Sequence, residues 1–201
     1  MNYMTVRELV PKLWDLERQT ARPPIDLAIH IGMAGPTLRW QLERRGHRDG
    51  YALKDVDGEF LRDQNRKLKE GKDWIWDGVP AELLSDVDID GVHKRWKKHS
   101  PVSSPLLFSP LLVTIVLISL RPVQDHLDVR VSEDAGHYLC DFIYFSSMAH
   151  LYKAGERRKV VFLHVPANVE PDVLNSGKEV VLQLIRSIVE SELSRKGATR
   201  T

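Results

Sequence analysis

Cysteine is nearly absent, since Cys140 is the only one among 201 residues. A single thiol excludes an intrachain disulfide framework and any zinc cluster built from several cysteines, and it is compatible with a reducing compartment. Charge of one sign is lacking too. Lys plus Arg number 29 against 28 for Asp plus Glu, a net charge of +1, so nothing draws the chain generally to nucleic acid or anionic lipid. The start, Met1-Asn2-Tyr3-Met4-Thr5-Val6-Arg7-Glu8, lacks the apolar core of a signal peptide. These absences predict a cytoplasmic protein with neither a nucleic-acid nor a membrane partner. What is present, 42% hydrophobic and 28% charged residues, suits one domain over positions 1–201 with a core of its own.

The spacing of Val6, Leu9, Val10, Leu13 and Leu16 predicts a helix over Thr5 to Gln19, capped by Thr5 and broken by Pro23-Pro24. Ile25 to Ile31 is a short apolar run closed by Gly32 and Gly35 and predicts a buried strand followed by a tight loop. Arg44 to Asp77 is charged, rich in Asp and Gly and without a sustained period, so it is expected to be largely loop. Pro80 to Lys98 carries short helical patterns, at Ala81 to Leu84 and again from Asp90, with Lys94, Arg95, Lys97 and Lys98 complementing a helix C-terminus. Leu127 to Val131 alternates as a strand does, Gly136 to Tyr152 predicts a helix, and Val160 to Val165 predicts a buried strand closed by Pro166. Lys178 to Ser194 is an amphipathic helix through Val181, Leu184, Ile185, Ile188 and Leu193. Strands alternating with helices in this way predict an α/β domain with a mostly parallel sheet.

In such a sheet, chemistry gathers beyond the carboxyl ends of the strands. Three complementary residues fall there: Glu43 after the first strand, Cys140 after the second, and His164 at the end of the third. The thiol stands at a predicted helix start, where free backbone N–H groups and the helix dipole favour a thiolate. A cysteine nucleophile needs a base, and a carboxylate can fix that base in one tautomer. Each residue has a plainer alternative, with Cys140 a buried apolar side chain, Glu43 a surface ion-pair partner and His164 a hydrogen-bonded core histidine.

Motifs around these residues narrow the choice. Val131-Ser132-Glu133-Asp134-Ala135-Gly136-His137-Tyr138-Leu139-Cys140-Asp141, then Tyr144-Phe145-Ser146-Ser147, then Phe162-Leu163-His164-Val165-Pro166 closely resemble the cysteine and histidine motifs of pyroglutamyl peptidase type I. Ile29-His30-Ile31-Gly32-Met33-Ala34-Gly35 through Gln41-Leu42-Glu43-Arg44 resembles that family's glutamate motif, and the Asp-rich stretch around Gly46 to Glu59 is most similar to its fungal branch. The likeness runs from about Thr5 to Arg195. It implies a three-layer α/β/α fold and a cytosolic cysteine exopeptidase, needing no metal or cofactor, that removes N-terminal pyroglutamate from peptides. In residue terms it implies Cys140 as nucleophile, His164 as base and then acid, and Glu43 as the group orienting the imidazole.

Two departures from the family bear on this expectation. Family members open with a strand and a Gly-Phe-Gly-Pro-Phe type loop whose aromatics help to enclose the pyroglutamyl ring, and no such stretch precedes the helix at Thr5. The chain is therefore expected to be N-terminally truncated and its sheet to lack the first strand. Val102 to Gln124, with the almost uncharged run Leu106 to Leu120, has no family counterpart. It is short for a membrane span and broken by Pro110, it suits a buried hairpin or strand, and it also reads as a retained intron, the reading favoured here because its removal joins Pro101 to Asp125 in frame. From these departures comes a second functional expectation, a non-catalytic α/β remnant that at most binds peptides or partners.

Overall fold

The computed structural model describes residues 1–15, 23–35, 39–62, 67, 69–100, 128–168 and 170–198. The apolar insertion Val102 to Gln124 and the helix residues expected beyond Asp15 lie outside them. Asn2 caps the first helix, α1 (Tyr3–Trp14), its side chain accepting the Thr5 backbone N–H at 2.6 Å. The cap thus stands three residues before the expected Thr5, because an N-cap side chain reaches the N–H of the third helical residue.

The chain then enters β1 (Ala28–Met33), β2 (Trp40–Glu43) and β3 (Arg45–His47), followed by a long irregular stretch to β4 (Glu82–Leu84). Two of these strands correct the sequence reading. β3 lies inside the expected loop, and within the helical pattern expected at Ala81 to Leu84 the residues Glu82–Leu84 are strand, since β3 and β4 pair antiparallel through Gly46 and Leu83. Only Leu83 of β4 is buried, the alternation of a strand with one covered face. Next come α2 (Ile89–His99), β5 (Val129–Ser132), α3 (Leu139–Lys153), β6 (Val160–Val165) and α4 (Pro171–Ala198). α2 is capped by Asp88, which accepts the Gly91 N–H at 3.0 Å, and ends in Lys97, Lys98 and His99. α4 is longer than expected at both ends, and opens on proline, which suits a first helical turn because its missing N–H has no intrahelical partner there.

The main sheet has the order β1-β6-β2-β5. β1 runs parallel to β6 and β2 parallel to β5, whereas β2 and β6 are antiparallel, so the sheet is mixed though mostly parallel. Alternation along β6 separates two apolar layers. Val160 and Phe162 pack with α1 and α3 on one face, and Val161 and Leu163 pack with α2 and α4 on the other. This makes the architecture α/β/α. Trp96 of α2, fully buried, donates its indole N–H to the Val180 carbonyl of α4 at 2.9 Å, which satisfies its one polar atom inside an apolar layer.

β1 is not the buried strand its composition predicts. It has one neighbour among the described residues, and Ile31 and Met33 are 55% and 67% exposed. The apolar face expected on α4 is likewise only half covered, with Leu184 and Ile188 buried and Ile185 and Leu193 exposed. Ile31, Trp40, Val165, Leu174 and Leu182 line an open groove of about 780 Å³ between β1 and α4, on the sheet face away from α3. Among the described residues, no helix is long and apolar enough to cross a membrane.

Candidate active site

Glu43, Cys140 and His164 meet on the face of the sheet that α3 covers. Gln41 of β2 lies opposite His164 of β6, and because side chains alternate along a strand, Glu43 shares the face of Gln41 and sits diagonal to His164. The diagonal is bridged by a hydrogen bond from His164 Nδ1 to Glu43 Oε1 at 2.7 Å. Glu43 therefore does not lie in a loop beyond a parallel strand, as the sequence suggested. It ends a strand antiparallel to the one that carries the histidine, and it is fully buried. Its neighbours Arg44 and Arg45 make the surface ion pairs instead, and both reach Glu133 at 2.6 Å.

That double clamp ties the segment leading into α3 to the end of β2. Each pair is partly exposed and contributes at most about 1 kcal/mol, so its use is geometric: it holds the start of α3 over the carboxylate. Cys140 is the second residue of α3, whose cap residue Tyr138 makes no side-chain capping bond. The first N–H groups of the helix consequently remain available beside the sulfur.

Cys140 Sγ lies beside Gly32, which pairs with His164 across β1 and β6, so the thiol stands next to the imidazole, and its proximity favours the protonated ring. With Nδ1 committed to Glu43, the nitrogen left to Cys140 is Nε2. Burial works against a charged His164, yet the influence of Cys140 and Glu43 outweighs it, and its pKa is raised to about 9. Phe162 packs against the imidazole with ring centroids 4.8 Å apart, and Tyr144 donates its hydroxyl to the Glu43 backbone carbonyl at 3.1 Å. Glu43 Oε2 is buried without a hydrogen-bond partner among the described residues, which leaves His164 as the group answering the carboxylate's charge. His30, on the same face, bonds Ser147 Oγ at 2.9 Å, and burial lowers its pKa to about 4, so at neutral pH it adds no charge.

Gly32 is a site residue that motif reading passed over. It pairs with His164 across β1 and β6, and a Cβ built on it would lie 2.9 Å from Phe162 Cζ and 3.0 Å from Cys140 Sγ. A glycine inside an apolar strand is the available sign of such a close approach. Gly32→Ala is expected to push the sulfur or the Phe162 ring aside and to lower kcat/KM by roughly a hundredfold, the cost of about 1 Å of misplacement. Steady-state kinetics beside a crystal structure of the variant checks this, and unchanged kcat/KM contradicts it.

Asp141, next to the cysteine, is also fully buried. Its carboxylate accepts the His47 backbone N–H at 3.0 Å, His47 Nδ1 at 3.1 Å and the Tyr51 hydroxyl at 3.1 Å. Burial is the largest influence and raises its pKa to about 6 against these bonds.

No family model matches the chain. Pyroglutamyl-peptidase 1 of Rattus norvegicus is 28% identical over 193 residues, covering 94% of this chain and 71% of the relative, and the Homo sapiens protein of that name matches to the same extent. The fold is similar to that of a pyrrolidone carboxyl peptidase from Pyrococcus furiosus, with a TM-score of 0.62 at 19% identity over 96% of this chain and 78% of that one. The corresponding structure from Thermococcus litoralis has a TM-score of 0.60 at 14% identity, over 94% and 76%. Across nearly its whole length the chain is thus similar in sequence to pyroglutamyl-peptidase 1, and its fold is similar to that of the pyrrolidone carboxyl peptidases.

Proposed function

We propose that the chain is a cysteine exopeptidase that removes N-terminal pyroglutamate from peptides through Cys140, His164 and Glu43. One observation carries the assignment of roles: a histidine held between a buried carboxylate and the chain's sole thiol, with its pKa raised to about 9. At neutral pH such an imidazole holds a proton beside the sulfur and has a fixed tautomer when it releases it.

The steps follow from that geometry. Cys140 Sγ attacks the carbonyl carbon of the pyroglutamyl residue, its proton residing on His164, and the negative charge that develops on the carbonyl oxygen faces the free N–H groups at the start of α3. Collapse breaks the C–N bond, His164 gives its proton to the leaving amine, and a pyroglutamyl thioester remains on Cys140. Water, losing a proton to His164, attacks the thioester carbonyl. Collapse of that adduct breaks the C–S bond, pyroglutamate departs, and Cys140 is left as the thiolate beside a protonated His164, the state from which the cycle began. Glu43 keeps Nδ1 protonated throughout and offsets the charge of the imidazolium. The substrates are peptides with an N-terminal pyroglutamyl residue, in which the lactam leaves no free α-amino group.

The test is turnover of a pyroglutamyl amide of aminomethylcoumarin by the full chain, with prolyl and glutamyl amides as controls. Release from the pyroglutamyl compound alone is expected. A folded chain that releases fluorophore from none of them would be the non-catalytic remnant.

A further inference from the structure

We propose that His47, His137 and Asp141 form a binding site for a divalent transition-metal ion of the zinc type, next to Cys140 but separate from the Glu43–His164 pair. The three come from different parts of the chain: His47 ends β3, His137 precedes α3, and Asp141 lies in the first turn of α3. One ligand atom from each falls within 4.8 Å of the other two. His47 Nδ1 is 3.1 Å and His137 Nδ1 3.9 Å from the same oxygen, Asp141 Oδ2. Tetrahedral ligands at about 2.0–2.1 Å from zinc stand roughly 3.4 Å apart, so these two edges bracket the spacing required, and the third is no longer than 4.8 Å.

The surroundings suit an ion as well. Two imidazoles and one carboxylate match zinc, nickel or copper better than magnesium or calcium, which prefer all-oxygen shells. The carboxylate is already oriented by the His47 backbone N–H on Oδ1 and by the Tyr51 hydroxyl on Oδ2, the kind of outer bonding that fixes metal ligands. The Asp141 side chain is fully buried and that of His47 14% exposed, whereas that of His137 is 43% exposed, so an ion enters from solvent past one movable ring. Gly50 lies against that ring in a left-handed conformation, φ +98°, and a Cβ there would come within 2.7 Å of His137 Nδ1. In the structure His47 Nδ1 bonds Asp141 and His137 Nδ1 bonds the Asp49 carbonyl at 3.0 Å. Binding exchanges both contacts for metal bonds, moving or releasing the Nδ1 protons.

The decisive experiment uses the full chain carrying Cys140→Ser, which removes the one thiol that would bind metal independently. Co²⁺ is titrated while its visible absorption is followed, and Zn²⁺ is then added in competition. One ion per chain is expected, with an absorption band of low-coordinate cobalt, displacement by zinc, and a higher melting temperature when loaded. His137→Gln, at an exposed position, should weaken binding tenfold or more without changing the melting temperature of the ion-free protein. His93→Gln, on α2, should leave binding unchanged. Absence of saturable binding, binding unaltered by His137→Gln, or equal losses from both variants would each overturn the proposal and leave the three residues as a hydrogen-bonded support for α3.

Discussion

Replacement of Cys140 by alanine is expected to reduce hydrolysis of a pyroglutamyl amide to the uncatalysed background, a fall on the order of a millionfold where the nucleophile is removed outright. The change removes one sulfur at a partly exposed position, so cooperative unfolding and far-UV circular dichroism should stay those of the parent. The result is unusually clean in this chain because no other thiol exists to take over or to confuse a labelling experiment. Iodoacetamide should add one carbamidomethyl group per molecule by mass spectrometry, and turnover should vanish in proportion to that adduct. Cys140→Ala with parental kcat would mean that the sulfur is not the nucleophile, whatever its contact with His164.

Glu43→Gln should produce the next largest loss, about a hundred- to ten-thousand-fold in kcat, the range associated with general acid–base groups. Glutamine preserves shape and can still accept from Nδ1, but it cannot offset the charge of an imidazolium. The same variant has a readout in stability. In the parent, His164 has a pKa of about 9, against an ordinary histidine value of about 6.5 in the unfolded chain. Between those values the native state binds more protons than the unfolded state, so the contribution of His164 to stability is fully present below about pH 6.5 and is lost as pH rises through about 9. Thermal unfolding of the parent should accordingly move to lower temperature across that window. In Glu43→Gln the histidine loses one of the two partners that raise its pKa, and the decline should be shallower. Identical pH profiles for the two proteins would show that Glu43 does not hold the His164 proton.

A buried ionised pair of this kind is costly to desolvate and is weak evidence for stability by itself. Its value is directional. Glu43 has no hydrogen bond to Oε2 among the described residues and receives His164 Nδ1 on Oε1, so its removal affects the orientation of one ring more than the packing of the layer around Phe142, Phe145 and Phe162.

Local pattern was sufficient for the elements whose apolar period is unbroken. β6 runs over the same residues, Val160 to Val165, that its apolar run marks, and α3 follows from the broad apolar surface between Leu139 and Lys153. Cys140, His164 and Glu43 form a chemically complementary set by type and order, but each kept a plainer alternative on that ground, and it was the resemblance of the surrounding motifs to a known family that singled them out. Short strands were not legible. β3 and β4 have three residues each, too few for a period of two to declare itself among charged neighbours, and they exist because each supplies the other's hydrogen bonds. The burial of β1 was overestimated for a related reason, since an apolar strand does not encode how many neighbours it will have.

What the sequence by itself determined is which residues can do chemistry and which of the longer segments are extended or helical. What only the tertiary structure decided is their register. Glu43 and His164 are 121 positions apart, and whether they touch depends on β2 running antiparallel to β6 with Gln41 opposite His164. A slip of one residue would turn Glu43 to the opposite face. The fit of Gly32 beneath the Cys140 sulfur, and the approach of His47 and His137 to Asp141, are likewise products of strand pairing and helix placement. Sequence spacing constrains distances along the chain, whereas these contacts are set across it by the alternation of side chains on a pleated sheet and by the layer that covers it.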